Sequence, residues 1–481
     1  MPMAAAVRAI TPQALKGENV LSGVAAAILA LVVGALAVRS TQAGVALTLL
    51  VLLLAVRSQS RSGGLMLLWT YWLLAPLLRR VLELSVGAPS ADPLSLLPFL
   101  GTAILAVMEL REDRLDGRAR RILGLAGVGI MLGLLTGLAA DPPAAGFAAV
   151  AYGSGLAAFV LGWGDGVRRL PRPTLYKALA IGLLPLSLYA IAQYFYPLPS
   201  WDAHWVDAGG LGSLGAPQEG HIRVFSSLNS PFTFAIALVA GILLGLGRRR
   251  RLSQASLATI PLIVALALTF MRSAWLALVA GLLVFAGAVR GKTAGRVVVV
   301  IIVCLVGLII VGHGNSTTRA FTERITSLGS PGSDVSTQAR LERTNQLLPV
   351  AIGNPVGAGL GQAGLASERL GGTTQEFLTN VDDGYLSMLY QSGPFGFLLL
   401  AAALISSVAA AVRGLGRAAD AAERQARAAL LATIVMLLVA LAAGDALFGL
   451  PGAILWYLCG LAVARSREGA PTTVGEPSMD G

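Results

Sequence analysis

The chain has 481 residues, 55% of them hydrophobic and 13% charged, and its mean hydropathy is +0.73. A soluble domain carries about 25% charged residues, so this composition excludes an ordinary soluble fold and puts most of the chain in lipid. The formal charge of +11 would suggest nucleic acid in a soluble protein, but here the cations sit in connectors between apolar runs, where they orient a membrane chain; no nucleic-acid partner is expected.

The opening stretch "MPMAAAVRAITPQALKGEN" lacks the short apolar core and cleavage site of a signal peptide. Residues 1–19 are therefore expected to be a cytoplasmic segment, and the first apolar run a retained span. A helix needs roughly 17–25 apolar residues to cross a bilayer. On that basis spans are predicted at 20–38, 43–56, 63–78, 94–110, 121–139, 145–162 and 175–196. Others follow at 231–247, 254–271, 273–289, 297–312, 387–411, 429–447 and 451–464. That is fourteen, or twelve or thirteen if the short runs at 43–56 and 451–464 are re-entrant. The predicted fold is an all-α polytopic integral membrane protein of about 12–14 transmembrane helices, with a large extracytoplasmic loop capping the outer face.

Strict alternation of those spans puts "ELREDRLDGRARR", "GDGVRRLPRP", "GRRRR", "VRGKTAGR" and "VRGLGRAADAAERQAR" on one side. Basic connectors mark the cytoplasm, so both termini are expected there and the localisation is the inner (plasma) membrane. These runs read as topology determinants in contact with anionic lipid. The division of the chain is then 20–312 as transmembrane helices including an outer loop 197–230, 313–386 as the large extracytoplasmic loop, and 387–464 as C-terminal helices. The remainder, 465–481, reads as a disordered cytoplasmic tail. No cytoplasmic connector is long enough to hold a catalytic domain, so any chemistry is expected outside.

This alternation gives some arginines unusual positions. Arg79, Arg80, Arg223, Arg272, Arg319, Arg324, Arg340 and Arg343 fall on the outer side. Arg272, in "ALTFMRSAWLALVAG", is a single cation in a long apolar run. It either snorkels to headgroups or faces an anionic ligand, and Arg79 and Arg80 in "LLAPLLRRVLEL" carry the same two readings. Arginine offers a planar fork of donors that matches phosphate oxygens and stays charged. A set of arginines at several outer span ends suits a lipid-linked diphosphate, whose departure as a leaving group they would assist.

The acidic counterpart is "NVDDGYLSMLYQSGPFG", where Asp382 and Asp383 open a span. They read as helix N-caps, as functional carboxylates, or as one of each. Tyr385 and Tyr390 suit the interfacial belt or stacking on sugar. Trp201, Trp205 and Asp207 in the outer loop, and His221 near Arg223, are candidate glycan contacts with equally ordinary readings as anchors and loop residues. Asp445, in "LAAGDALFGLPGAIL", is either a second acidic group of a site or the partner of an arginine.

Other signals carry little. Cys304 and Cys459 lie in apolar runs and read as core residues. Three histidines in the chain leave little for a metal, so neither metal nor cofactor is expected. Gly359-x-Gly361-x-x-Gly364 matches a dinucleotide fingerprint formally, but it lacks the flanking strand and helix and reads as a flexible turn.

Four stretches resemble the O-antigen ligase and Wzy-type polymerase superfamily of bacterial membrane glycosyltransferases. "HIRVFSSLNSPFTFAIAL" is similar to its outer-loop Arg followed by Asn/Ser-Pro opening a span. "TFMRSAWLAL" resembles its Thr-x-Ser-Arg-x-Ala-Trp stretch, with Met271 at the serine. "RLERTNQLLPVAIGNPVGAGLG" resembles its large-loop Arg stretch ending in Pro-x-Gly-x-Gly, and "DDGYLSMLYQSGPFG" its His-Asn-x-Tyr-Leu motif ending in Gly-x-x-Gly. The resemblance covers roughly residues 220–400 and implies transfer of a glycan from undecaprenyl diphosphate to an acceptor, without metal or nucleotide. It implies that Arg223, Arg272 and Arg343 or Arg340 hold the diphosphate. Asp382 stands where the ligases of the superfamily have a histidine proposed as general base, and Asp383 follows it; a desolvated carboxylate can take that role. This departure tilts the reading from ligase towards polymerase.

A secondary transporter or flippase would also have this many spans, but such proteins place ionisable groups near the midplane and build on internal repeats. Neither is evident in this sequence, and loop 313–386 has little use in a transporter. A non-catalytic scaffold would not need outer arginines in those motifs.

Overall fold

The computed structural model describes residues 61–86, 96–168, 173–208, 214–215, 218–247, 253–289, 335–364, 366–367, 381 and 383–465. Among them are thirteen helices and no strand, only an isolated bridge between Gly215 and Ile222. In chain order they are α1 (Arg61–Val86), α2 (Leu97–Glu112), α3 (Gly117–Ala140), α4 (Pro142–Val167), α5 (Thr174–Phe195), α6 (Ser200–Ala208) and α7 (Pro231–Leu246). They continue as α8 (Ser253–Leu268), α9 (Arg272–Val289), α10 (Val335–Gly353), α11 (Gly384–Gly416), α12 (Ala421–Leu441) and α13 (Gly449–Arg465). Six of these, α3, α4, α5, α9, α11 and α12, are long and apolar enough to cross a membrane. The protein is an all-α polytopic membrane protein. The spans expected at 20–38, 43–56 and 297–312 lie outside the described residues. The short run at 451–464 forms one uninterrupted helix, α13, rather than a re-entrant pair.

Helix starts follow short-range chemistry. Asp116, Asp141, Ser230, Asp383 and Asp420 each accept a backbone N–H of the first turn they precede. Pro142 and Pro231 occupy the first helical position, where no N–H is needed. The Asn-Ser-Pro stretch at 229–231 is thus a helix start in its own right.

The helices pack through small residues, as lipid-embedded helices must when apolar burial drives nothing. At the α4–α13 interface a Cβ on Gly162 would lie 1.9 Å from the Tyr457 carbonyl oxygen, so backbone meets backbone there. The order of contacts sets directions. Gly155 and Gly166 of α4 meet Trp456 and Ala464 of α13, so these two run parallel. Gly129 and Gly133 of α3 meet Gly396 and Gln391 of α11 in reverse order, so that pair is antiparallel. The bundle therefore has two ends, one carrying Arg61 and Asp165, the other Arg272, Gly384 and the α12–α13 connector.

At the Arg61 end, charges from α1, α2 and the end of α4 neutralise one another, and α5 and α13 add hydrogen bonds. Arg61 of α1 donates to Glu109 of α2 (Nε–Oε2 2.6 Å) and to Asp165 of α4 (2.5 Å). Arg168 also pairs with Glu109, Glu112 and Asp113. The other Asp165 oxygen takes the backbone N–H of Thr174 (3.0 Å), its hydroxyl (2.9 Å) and the Tyr457 hydroxyl of α13. Asp165 is wholly buried, which is tolerable only because it is paired and fully hydrogen-bonded.

Candidate active site

Two tight turns at the Arg272 end present Arg223 and Arg272. The α8–α9 turn is closed by Thr269, whose hydroxyl donates to the Leu266 carbonyl (2.6 Å) and accepts the Met271 N–H (3.3 Å). The Trp275 indole donates to the same carbonyl (3.3 Å). Thr269 and Trp275 thereby fix the first turn of α9, whose first residue is Arg272. Arg223 is held beside this turn, because the next residue, Val224, donates its N–H to Leu268 at the end of α8 (3.2 Å). Both side chains are half-buried. A cation at the positive end of a helix is opposed by the macrodipole, whereas an anion there is favoured by dipole and cation alike.

The backbone is strained at both turns. Ser226 and Phe270, at φ of 54° and 51°, are the two non-glycine residues in left-handed conformation among those described. One lies three residues after Arg223, the other two before Arg272. Such conformations persist where the surroundings over-determine them. At Ser226 they do: its N–H bonds the Gln193 side chain (2.8 Å), its hydroxyl the Leu186 carbonyl (2.7 Å), and its carbonyl accepts from Arg80 (2.6 Å).

Arg80 corrects an expectation. Its guanidinium is wholly buried, paired with Asp202 of α6 (3.1 Å) and placed over the rings of Trp205 and Phe225 (5.3 and 4.8 Å). Asp202 also accepts from Tyr189 and Gln193, each at 2.6 Å. Arg80 is therefore a pin between α1, α6 and the Arg223 loop rather than a side chain facing a ligand, and Trp205 is half of its aromatic cover. Arg79, one residue earlier, is half-buried. His221 is exposed, its Nδ1 2.9 Å from the Glu219 carbonyl oxygen.

Arg343 stands half-buried on α10, with Arg340 one turn before it. The helix docks on α11 through a small apolar cluster of Leu347, Ala363, Val381 and Leu386, with Tyr390 against it. After α10 and the exposed Pro355 and Val356, the chain enters "GAGLGQAG", expected as a flexible turn. Gly357, Gly359, Leu360 and Gly361 are instead buried, and the stretch is tied down. Ala358, Gly359 and Leu360 donate their N–H groups to the carbonyls of Tyr390 (2.8 Å), Gln391 (3.1 Å) and Gly133 (2.6 Å), and Gly361 donates to the Gln391 side chain (2.7 Å). The reason lies in α11, which breaks at Gly393 (φ 66°) before Pro394. Proline has no N–H, so the Tyr390 carbonyl loses its intrahelical donor; Ala358 supplies the missing one. A Cβ on Gly393 would sit 2.4 Å from the Pro355 carbonyl oxygen. The Pro-x-Gly-x-Gly and Gly-x-x-Gly stretches are thus two halves of one junction.

Asp383 is the N-cap of α11, one oxygen accepting from Tyr385 (2.9 Å) and Leu386 (3.2 Å). Asp382 lies outside the described residues. Tyr385 is half-buried and donates its hydroxyl to the Leu438 carbonyl (2.7 Å).

The connector between α12 and α13 is what these stretches surround. An ideal Cβ on Gly384 would lie 3.0 Å from the Gly444 carbonyl oxygen, and one on Gly444 would meet the ring of Phe232 in the first turn of α7. Arg272 opens α9, which packs antiparallel to α12 with Gly281 against Ala432 and Met436. Within the connector, Asp445 is half-buried and accepts the Tyr152 hydroxyl of α4 (2.6 Å) and the Leu447 N–H (3.2 Å). Desolvation raises the Asp445 carboxyl to about 6, against the lowering effect of those hydrogen bonds. The signal for Asp445 was present in the sequence; its partner, a tyrosine 293 residues away, was not.

A polytopic helical membrane protein with arginines and acids gathered around one set of helix ends defines the class. Residues 257–401 match the family model described as O-antigen ligase. The matched segment runs from α8 through the break in α11, and so contains the Arg272 turn, α10, the glycine junction and the Asp383 cap. This supports the O-antigen ligase and Wzy-type superfamily for the chain, and with it a glycan-handling membrane enzyme acting on lipid-linked glycan and acceptor in general. No curated protein matches the chain.

Proposed function

We propose that the protein is a glycan polymerase of the membrane, joining repeat units by transfer from an undecaprenyl-diphosphate carrier in surface or exopolysaccharide biosynthesis. The observation that carries this reading is the convergence, within and beside the matched segment, of Arg223 and Arg272 on adjoining turns. The Arg272 end faces outside the inner membrane and both termini face the cytoplasm, in keeping with the basic connectors at the Arg61 end.

In this reading the carrier's tail lies between helices and its diphosphate meets Arg223, Arg272 and Arg343, assisted by Arg340, one turn before Arg343, and by Arg79, next to the Arg80 that bonds the Arg223 loop. The acceptor hydroxyl attacks the anomeric carbon as the glycosyl–phosphate bond breaks. The diphosphate leaves with the bonding pair, and the arginines neutralise the charge it gains. No metal is needed for that step. A carboxylate at the same end takes the hydroxyl proton, and His221 and the tyrosines of α11 line the path of the glycan. Transfer to a lipid, protein or wall acceptor is the second reading, favoured by the description of the matched family; an aspartate at the ligases' histidine position favours the polymerase.

The test is to incubate the purified protein with a polyprenyl-diphosphate oligosaccharide and follow the product by size. Lengthening of the lipid-linked glycan is expected. Transfer only when a different acceptor is supplied would make the protein a ligase, and no transfer under either condition would remove the enzyme reading.

A further inference from the structure

We infer that Asp445, held by Tyr152, is the carboxylate that takes the proton from the acceptor hydroxyl, a role that rests on the glycosyl-transfer reading above. The connector 442–448 is the place where separate motif stretches meet. Gly384 abuts Gly444 from α11, Phe232 covers Gly444 from α7, and α9, which starts at Arg272, packs along the helix that leads into it. A site built from the Arg223, Arg272 and Asp383 stretches therefore has Asp445 in its midst.

Its surroundings differ from those of the other acids. Among the described residues, buried Glu109, Asp165 and Asp202 are each neutralised by an arginine, and buried Asp116 caps a helix. Asp445 has neither arrangement. It accepts from a phenol and the Leu447 backbone N–H and stays half-buried. An ionisable group so placed in a membrane protein, left without a counter-charge, is costly to keep and marks function. Tyr152 is ten residues beyond Pro142, about 15 Å along α4 from its start, and so Asp445 is set back from the α3–α4 turn. Among the described residues, the titratable side chain bonded to it is Tyr152. Asp383, by contrast, is committed to the first-turn amides of α11.

The step balances simply. The acceptor O–H bond breaks and its proton goes to the Asp445 carboxylate. The oxygen's electron pair forms the new bond to the anomeric carbon, while the carbon–oxygen bond to the diphosphate breaks and its pair leaves on the phosphate. The protonated carboxyl then releases its proton to water. Tyr152 is a positioning residue: its hydroxyl orients the carboxylate and, by donating to the ionised form, favours it.

The experiment uses the full chain purified into lipid nanodiscs, with a polyprenyl-diphosphate oligosaccharide as donor. Asp445→Asn should lower kcat on the order of 10²–10⁴-fold with the donor KM unchanged. Tyr152→Phe removes a hydrogen bond that favours the ionised carboxylate, so the acid limb of its pH–rate profile should move to higher pH with the alkaline plateau retained. That shift is decisive even if Asp445→Asn fails to fold. Full activity in Asp445→Asn, or an unmoved acid limb in Tyr152→Phe, would overturn the assignment of Asp445 alone. Failure of the wild type to transfer would overturn the transfer reading and the assignment together.

Discussion

The two ends of the bundle hold similar residues in opposite arrangements. At the Arg61 end, Arg61 and Arg168 face Glu109 and Asp165 directly, and both Asp165 oxygens are bonded, by Arg61 on one side and by Thr174 and Tyr457 on the other. At the Arg272 end, Asp383 and Asp445 bond to backbone amides and a phenol, and no arginine is on either among the described residues. Arg80 with Asp202 is the exception that shows what a structural pair looks like at this end: wholly buried and roofed by aromatic rings. Matched buried charges hold helices together; acids without such a match, as Asp383 and Asp445 are among the described residues, are open to other roles.

Mutations should therefore fall into two kinds, and the largest effect is on the closed end. Asp165→Ala leaves Arg61 facing Glu109 alone and strips Thr174 and Tyr457 of their acceptor, so it should cost about 3–5 kcal/mol of stability. Thermal unfolding in detergent would show this, with activity per folded molecule near wild type. Loss of transfer without loss of stability would instead put the catalytic chemistry at the wrong end. Arg272→Ala should do the reverse. Loss of one preorganised charge partner of the leaving group lowers kcat on the order of 10²–10³-fold, while helix content and unfolding temperature stay put. A stable Arg272→Ala variant giving product of normal length and amount would break the comparison.

The glycine junction sits between these extremes. Gly393→Ala puts a side chain where φ is 66° and where a Cβ would press on Pro355 and Gly357. It should cost about 1–3 kcal/mol and, because the junction directly follows α10, which carries Arg343, lower transfer as well. Proteolysis within 354–364 would report the loosening.

Much of this was legible in the sequence. Eleven of the expected spans fall on helices, because apolar runs and Asp or Ser-Pro starts are local signals, but 63–78 stops well short of Val86 and 429–447 starts late and runs past Leu441 into the connector that holds Asp445. The chain also shows in one dimension which arginines interrupt apolar runs. It does not show pairing. "GDGVRR" reads as a basic connector, yet α4 extends through Asp165 to Val167 and buries it, and its partners lie on other helices. Arg79 and Arg80 look alike in "LLRRVL", and only the arrival of Asp202 from the outer loop distinguishes them. "GAGLG" looks loose because its hydrogen-bond acceptors, at Gly133, Tyr390 and Gln391, are on two other helices. A helix break is visible in "SGPFG"; what fills it is not.

The smallest expected effect is the most discriminating at the open end, and it concerns Asp383. As an N-cap it accepts from Tyr385 and Leu386. Asparagine caps as well as aspartate does, whereas alanine loses about 1 kcal/mol. Asp383→Asn should therefore leave both unfolding temperature and transfer nearly unchanged, and Asp383→Ala should lower the unfolding temperature slightly with little effect on kcat. A pure cap responds to shape, a base to charge. If Asp383→Asn were to lose transfer at full stability, the carboxylate charge itself would be in use there, and the assignment of the proton to Asp445 would have to give way to the motif position. Equal behaviour of Asp383 and Asp383→Asn, beside a large loss in Asp445→Asn, would separate the acid that shapes the site from the acid that works in it.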